Sequence, residues 1–275
     1  MLLAGLCTVD VVQRVAELPA PGEKLQATSV ELAAGGPASN AAVAVAALGG
    51  RARLLTALGS HPLASVARAD LEAHGVSIVD LAASGTEPPT VSAVAVRESD
   101  GERVVVSHNA EGAELDVTTV DLDGVQAVLL DGHHPALALT VAREAKARGV
   151  PVIVDAGSRR PVFDELLPMV DVCACSASFD GDTGGVPVVT RTHGAQPVRW
   201  WAGGREGEVP VPRVAARDTL GAGDVWHGAL AYLIAVLGRV PGAGELPSIL
   251  EEANRVAARR VRHIGARHWV RTRET

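Results

Sequence analysis

Aromatic side chains are scarce: four Trp, one Tyr and two Phe in 275 residues. A core of this composition must be aliphatic, packed from Ala, Val and Leu. Cysteine is equally rare. Cys7, Cys173 and Cys175 make an odd count with no paired C-x-x-C, which argues against both a disulfide framework and a thiolate metal site. The usage fits a reducing, cytoplasmic compartment. No apolar run is long and uninterrupted enough to span a bilayer. The start, Met1-Leu2-Leu3-Ala4-Gly5-Leu6-Cys7, has no basic leader and reads as a first strand, not a signal peptide. Positive charge is also short, with 25 Lys and Arg against 32 Asp and Glu, a net charge of −7. That balance argues against a nucleic-acid binder relying on phosphate neutralisation. Two phosphate-binding motifs are missing: there is no G-x-x-x-x-G-K-[ST] and no G-x-G-x-x-G. No repeat of fixed period and no long linker appears either.

What is present suits one substantial α/β core. Hydrophobic residues make up 47% of the chain and mean hydropathy is +0.20. The richest stretch is Asp218-Thr219-Leu220-Gly221-Ala222-Gly223-Asp224, followed by an apolar segment from Val225 to Leu233. Two carboxylates bracket a turn of small residues that runs into a helix. Gly221 and Gly223 let the main chain approach a ligand. The amides of Ala222, Gly223 and Asp224 are then unpaired first-turn donors, a site for a phosphoryl oxygen. A carboxylate beside a phosphate is placed to take a proton from an attacking hydroxyl. By spacing alone, an ordinary turn and N-cap fits as well. A second glycine-rich turn, Gly35-Gly36-Pro37-Ala38-Ser39-Asn40, leads into an Ala-rich helix.

Asp-Thr-Leu-Gly-Ala-Gly-Asp resembles the C-terminal signature of the PfkB carbohydrate kinases, the ribokinase-like family, and the upstream Gly-Gly and Asn match a second motif in the expected order. The resemblance implies a three-layer ribokinase-like α/β sandwich with a central, mostly parallel sheet and a small β lid. It implies ATP-dependent phosphorylation of a sugar hydroxyl with Mg²⁺. On it, Asp224 is the base, and Gly221, Ala222 and Gly223 form the anion hole. Asp10, Gly35, Gly36 and Asn40 hold the acceptor. Thr190 and Gly194, within an imperfect Thr-x-Gly loop, and Asn254, on the last helix, meet the nucleotide. The rival readings are a nucleoside kinase of the same fold and a non-catalytic sugar sensor.

Along the chain, Leu2 to Cys7 reads as a strand with Asp10 at its carboxyl end, where ligands of open α/β sheets collect. Residues 11–34 and 88–110 read as lid strands inserted into a single domain, 1–275. Within the second insert, alternation on either side of Asp100-Gly101 predicts a hairpin, with His108 and Asn109 as further candidates at its end. In some members of the family such lids pair between subunits, so the resemblance implies a homodimer through the lid. From Val125 onward strands and helices alternate, with His133 and His134 at the active edge of the sheet. Two histidines without a third ligand make a weak metal case, and no metal ligand is assigned.

Two departures from the family pattern stand out. Relatives carry Asn-x-x-Glu after one strand, where this chain has Ser176 and Phe179. A helix normally found between that strand and the next is also missing, because Gly184-Gly185 leads almost directly into Val186-Pro187-Val188.

Overall fold

The structure is a computed structural model that describes residues 1–108 and 115–270. Its elements in chain order are β1 (Leu2–Ala4), β2 (Thr8–Val15), β3 (Ser29–Gly35), α1 (Pro37–Ala47), β4 (Ala52–Thr56), α2 (Pro62–Ala73), β5 (Val76–Asp80), β6 (Val91–Arg97) and β7 (Arg103–Ser107). They continue with β8 (Val128–Leu130), α3 (Pro135–Ala147), β9 (Val152–Ala156), α4 (Phe163–Leu166), β10 (Val172–Cys175), β11 (Val188–His193), β12 (Gln196–Ala202), β13 (Arg205–Val209), α5 (Ala222–Leu237) and α6 (Leu246–Val261).

Nine strands form the central sheet, in the order β13-β12-β11-β10-β9-β8-β1-β4-β5. All neighbouring pairs are parallel except β11–β12 and β12–β13 at one end, which are antiparallel. Strand order reverses at β1, which lies between β4 and β8. A crevice therefore opens past the carboxyl ends of β1 and β8.

Alternation along the strands splits the core in two. Leu3, Leu54, Leu129 and Ile153 face α1, α2, α5 and α6, while Leu2, Leu55, Val128 and Val152 face α3 and α4. Three layers result, as the sequence implied. Small residues set the spacing of α1 and α5. A Cβ added at Gly228 would lie 2.5 Å from the Ala41 carbonyl oxygen, so α5 packs backbone to backbone on the Ala-rich α1. The thiols of Cys173 and Cys175 lie on one face of β10, buried and 3.5 Å apart.

A second sheet of four strands, β3-β2-β6-β7, stands over the crevice. The Asp-Gly hairpin joins β6 to β7, with Gly101 at φ 73°. One expectation needs correcting. Asp10 does not end a core strand: the chain leaves the core sheet after Ala4, and Asp10 lies within β2, paired with Ala33 and Ser92 of the lid. The expected missing helix is absent indeed, since residues 176–187 join β10 to β11 through turns alone. Among the described residues, no helix is long and apolar enough to cross a membrane.

Candidate active site

A cavity of about 280 Å³ opens between the lid and the carboxyl edge of the central sheet. Asp10, Gly36, Asn40, Asp131, His133, Asp155, Arg160, Gly221 and Asp224 all contribute to its wall. Lid residues Ser92, Val94, Val105 and Ser107 roof it.

Asp224 sits in the first turn of α5, behind Gly221, which takes the left-handed conformation at φ 72°. The signature folds this way because only glycine reverses the chain there without strain. Among the described residues the amides of Gly223 and Asp224 have no hydrogen-bond partner, leaving two donors at the positive end of a 16-residue helix. Ala222 departs from the expected hole. Its amide donates to the Thr219 carbonyl at 3.2 Å, which closes the turn and leaves nothing for a ligand.

The Asp224 carboxylate is fixed from α1. Asn40 Nδ2 donates to Asp224 Oδ2 at 2.8 Å, and Asn40 Oδ1 accepts from Arg267 Nη1 at 3.1 Å. Arg267 in turn donates to Asp70 Oδ2 at 3.0 Å and to the Ala34 carbonyl at 2.6 Å. One chain of polar contacts thus sets both the amide orientation of Asn40 and the position of Asp224. Burial, reinforced by the charge of Asp155, pushes the Asp224 carboxyl up to about 6, although Asn40 and His227 pull the other way. His227, also on α5, brings Nδ1 to 2.8 Å from Asp155 Oδ2. Burial alone would lower its pKa, but Asp155 and Asp224 outweigh that and raise it.

Both glycines of the upstream motif are explained by close approach. A side chain at Gly35 would collide with the Asp10 carboxylate, and a Cβ at Gly36 would meet the Leu6 carbonyl oxygen at 2.5 Å. Gly36 lines the cavity, with φ 89°, while Gly35 makes room behind it. Asp10 accepts from Thr8 Oγ1 at 2.5 Å, and burial raises its pKa. Asp131 ends β8 and ties the crevice together, accepting from the amides of Leu6 at 2.8 Å and Ala38 at 3.2 Å. Burial would raise its carboxyl, yet the His133 side chain and the amides of His133 and Leu6 hold it down at about 2.

Sequence reasoning missed how the lid is fastened. Arg14 on β2 forms an ion pair with Asp218 at 2.5 Å, both nearly fully buried. Arg260 and the Gly265 amide also reach Asp218. Leu220 packs among Val12, Val94 and Val96, and Arg103 donates to Thr219 Oγ1 at 2.9 Å. The first carboxylate of the signature therefore anchors the lid, not the substrate. Only its burial beside two arginines gives it away, and that has no local sequence signal.

The expected nucleotide contacts come together less well. Asn254 is 1% exposed; its Oδ1 accepts from Trp226 Nε1 at 2.8 Å and its Nδ2 donates to the Pro210 carbonyl at 3.0 Å. Buried in this way, Asn254 locks α6 to α5 and is closed off from an adenine. Thr190 is fully buried in the middle of β11, which likewise removes it from a ligand. Gly194 stands exposed in the turn between β11 and β12, at φ 62°. None of the three lines the cavity holding Asp224. Ser176 donates to the Gly157 carbonyl at 2.5 Å, and Phe179 is buried edge-on against Phe163. His134 is buried as the N-cap residue of α3, His108 is exposed and does not line the cavity that holds Asp224, and Asn109 lies outside the described residues.

Comparison with known proteins gives the family and the fold. A model of the pfkB family carbohydrate kinases matches residues 1–178 and 181–273. Ribokinase of Bacillus subtilis (strain 168) is 26% identical over 295 residues, covering 98% of this chain and 95% of that protein. Deoxyribokinase of Salmonella typhi is 26% identical over 272 residues, covering 87% of each chain. In fold, the chain resembles Arabidopsis thaliana ribokinase complexed with ribose and ATP, with a TM-score of 0.77 at 21% identity over 99% of this chain and 98% of that one. The chain belongs to the pfkB family and is a carbohydrate kinase.

Proposed function

We propose that the chain moves the γ-phosphoryl group of ATP to a hydroxyl of a sugar or sugar derivative seated in the cavity under the lid. One observation carries this reading: the Asp224 carboxylate, held by Asn40, stands in the cavity wall beside two unpaired amides at the mouth of α5.

Asp10 and Asn40 hold acceptor hydroxyls, Gly36 lets the ring approach the main chain, and Asp224 takes the proton as the new bond forms. The amides of Gly223 and Asp224 receive the oxygens of the transferring group, and Gly221 holds the turn that aims them. Positioning carries most of the catalysis in such a loose transition state. The lid keeps water from competing with the acceptor.

No cluster of three or more His, Cys, Asp or Glu able to hold a metal occurs among the described residues. Mg²⁺ asks less, since it keeps waters and substrate phosphates and needs only one or two carboxylates. Asp155 fits that part, and the repulsion it exerts on Asp224 is what a nearby cation relieves. Bound there with the nucleotide, Mg²⁺ would neutralise phosphate charge. Gly194 remains the candidate for a main-chain contact on the nucleotide side.

No Phe, Trp or Tyr lines the cavity among the described residues, which favours a sugar over a nucleoside. Val30 and Leu32 on β3 and Val104 and Val106 on β7 leave apolar side chains exposed on both edge strands of the lid, consistent with a homodimer formed there. Three buried, free thiols suit a reducing cytoplasm.

The test is ADP release from Mg-ATP across a panel of pentoses, hexoses, their derivatives and nucleosides. Sugar-dependent release is expected. Sugar binding without release from any acceptor would make the protein a sensor and overturn the reading.

A further inference from the structure

Arg160 lines the acceptor cavity and forms no ion pair with a carboxylate among the described residues. Its neighbour Arg159 pairs with Asp164 at 3.2 Å on the exposed side. Arg160 instead makes one side-chain hydrogen bond among the described residues, with Nη2 at 2.5 Å from Nε2 of His133. A guanidinium has no acceptor, so Nε2 takes that bond and the Nδ1 side of the ring faces Asp131 Oδ1, 3.1 Å away. Asp131 is itself clamped by the amides of Leu6 and Ala38. The guanidinium is thus aimed from behind, through an imidazole and a fixed carboxylate, while most of its N–H donors stay free.

The acidic groups of the same wall all have partners. Asp224 is held by Asn40, Asp155 faces His227, Asp10 accepts from Thr8, and Asp131 has two amides and His133. Arg160 is the one guanidinium on this wall and has no ion-pair partner among the described residues, and a half-buried cation without a paired counter-ion is costly. Its fork matches an oxyanion in two-point contact. Ser158 lines the cavity two residues earlier.

We propose that Arg160, oriented by His133, binds an oxyanion carried by the acceptor, so that the substrate is a sugar already bearing a phosphate, sulfonate or carboxylate and not a neutral sugar. This rests on the kinase reading, because the cavity is where the acceptor would sit.

The test compares matched pairs: ribose with ribose 5-phosphate, fructose with fructose 6-phosphate and with fructose 6-sulfonate, and glucose with gluconate. ADP release gives kcat and KM for the wild type, Arg160→Met and Arg160→Lys, with thermal melting as the check on folding. At least one acidic member should exceed its neutral partner by about tenfold or more in kcat/KM, and which anion wins identifies the group. Arg160→Met should raise KM for that member by roughly 10- to 100-fold and leave the neutral partner within about threefold, with Arg160→Lys in between. Preference for the neutral sugars would overturn the proposal. So would an equal loss of kcat on both members of a pair, which would assign Arg160 to the nucleotide phosphates. If no sugar releases ADP, the kinase reading fails separately. Calorimetry without ATP then decides the subsite: binding of an acidic member that Arg160→Met abolishes supports it, and no such difference contradicts it.

Discussion

The wall proposed to hold the acceptor and the side proposed to hold the nucleotide are built on different principles. On the acceptor wall, Asp224, Asn40, Arg267 and Asp70 come from separate elements and form one connected polar network, while Asp131 joins β1, α1 and β8 by main-chain hydrogen bonds. On the nucleotide side, two expected contacts are buried in the core, the third is an exposed hairpin turn, and the β10 to β11 connection has no helix. Reacting groups must be held within fractions of an ångström, and a buried, satisfied network does that. Gripping a nucleotide through main-chain donors on loops tolerates shortening, because loops vary without disturbing the core.

The sharpest way to break the comparison is to cut the lid from the acceptor wall. Arg14→Met leaves the buried Asp218 carboxylate without its closest partner and should cost about 3–5 kcal/mol in denaturant unfolding. A loss below about 1 kcal/mol would mean that the ion pair does not anchor the lid.

The pH dependence is the next largest effect. Asp224 accepts a proton only as the carboxylate, so kcat/KM should be flat above about pH 7 and fall toward tenfold per pH unit below about 6. For stability the sign is opposite. The folded value of about 6 lies above the ordinary 3.8, so the proton stabilises the fold fully below about pH 4, and that contribution is lost as pH rises through 6. Asp224→Asn should therefore melt no lower than the wild type above pH 6.

The smallest effect probes the other side. Asn254→Ala should lower stability by about 1–3 kcal/mol, by orphaning Trp226 Nε1, and leave KM for ATP within about twofold. A KM increase well beyond that would return Asn254 to the nucleotide and erase the contrast between the two regions.

Much of the architecture was legible in the sequence because it is written locally. The Asp-Gly hairpin, the Ala-rich helix after Gly36 and the glycine turn before Asp224 are each set by a few neighbouring residues. The candidate base was legible for the same reason, since the amides it borders belong to its own turn. Arg14, Arg267 and Arg160 were not legible. Their partners lie far away in the chain: Asp218 is 204 positions from Arg14, and Asn40 is 227 from Arg267. Asp10 was placed at the wrong strand because a bend after Ala4, fixed by tertiary contacts of Gly5 and Leu6 with Asp131, looks like continuous strand in one dimension. Asn254 misled because a polar residue on a helix looks the same whether it faces a ligand or a buried tryptophan.

The central claim is that Asp224 takes the acceptor's proton without being needed to hold the acceptor. The measurement is the Asp224→Asn variant, with kcat read from ADP release and the acceptor's Kd from calorimetry. The account predicts that kcat falls by about three powers of ten or more while Kd stays within about fivefold. A variant that turns over within about tenfold of the wild type, or one whose loss lies wholly in binding, would contradict it.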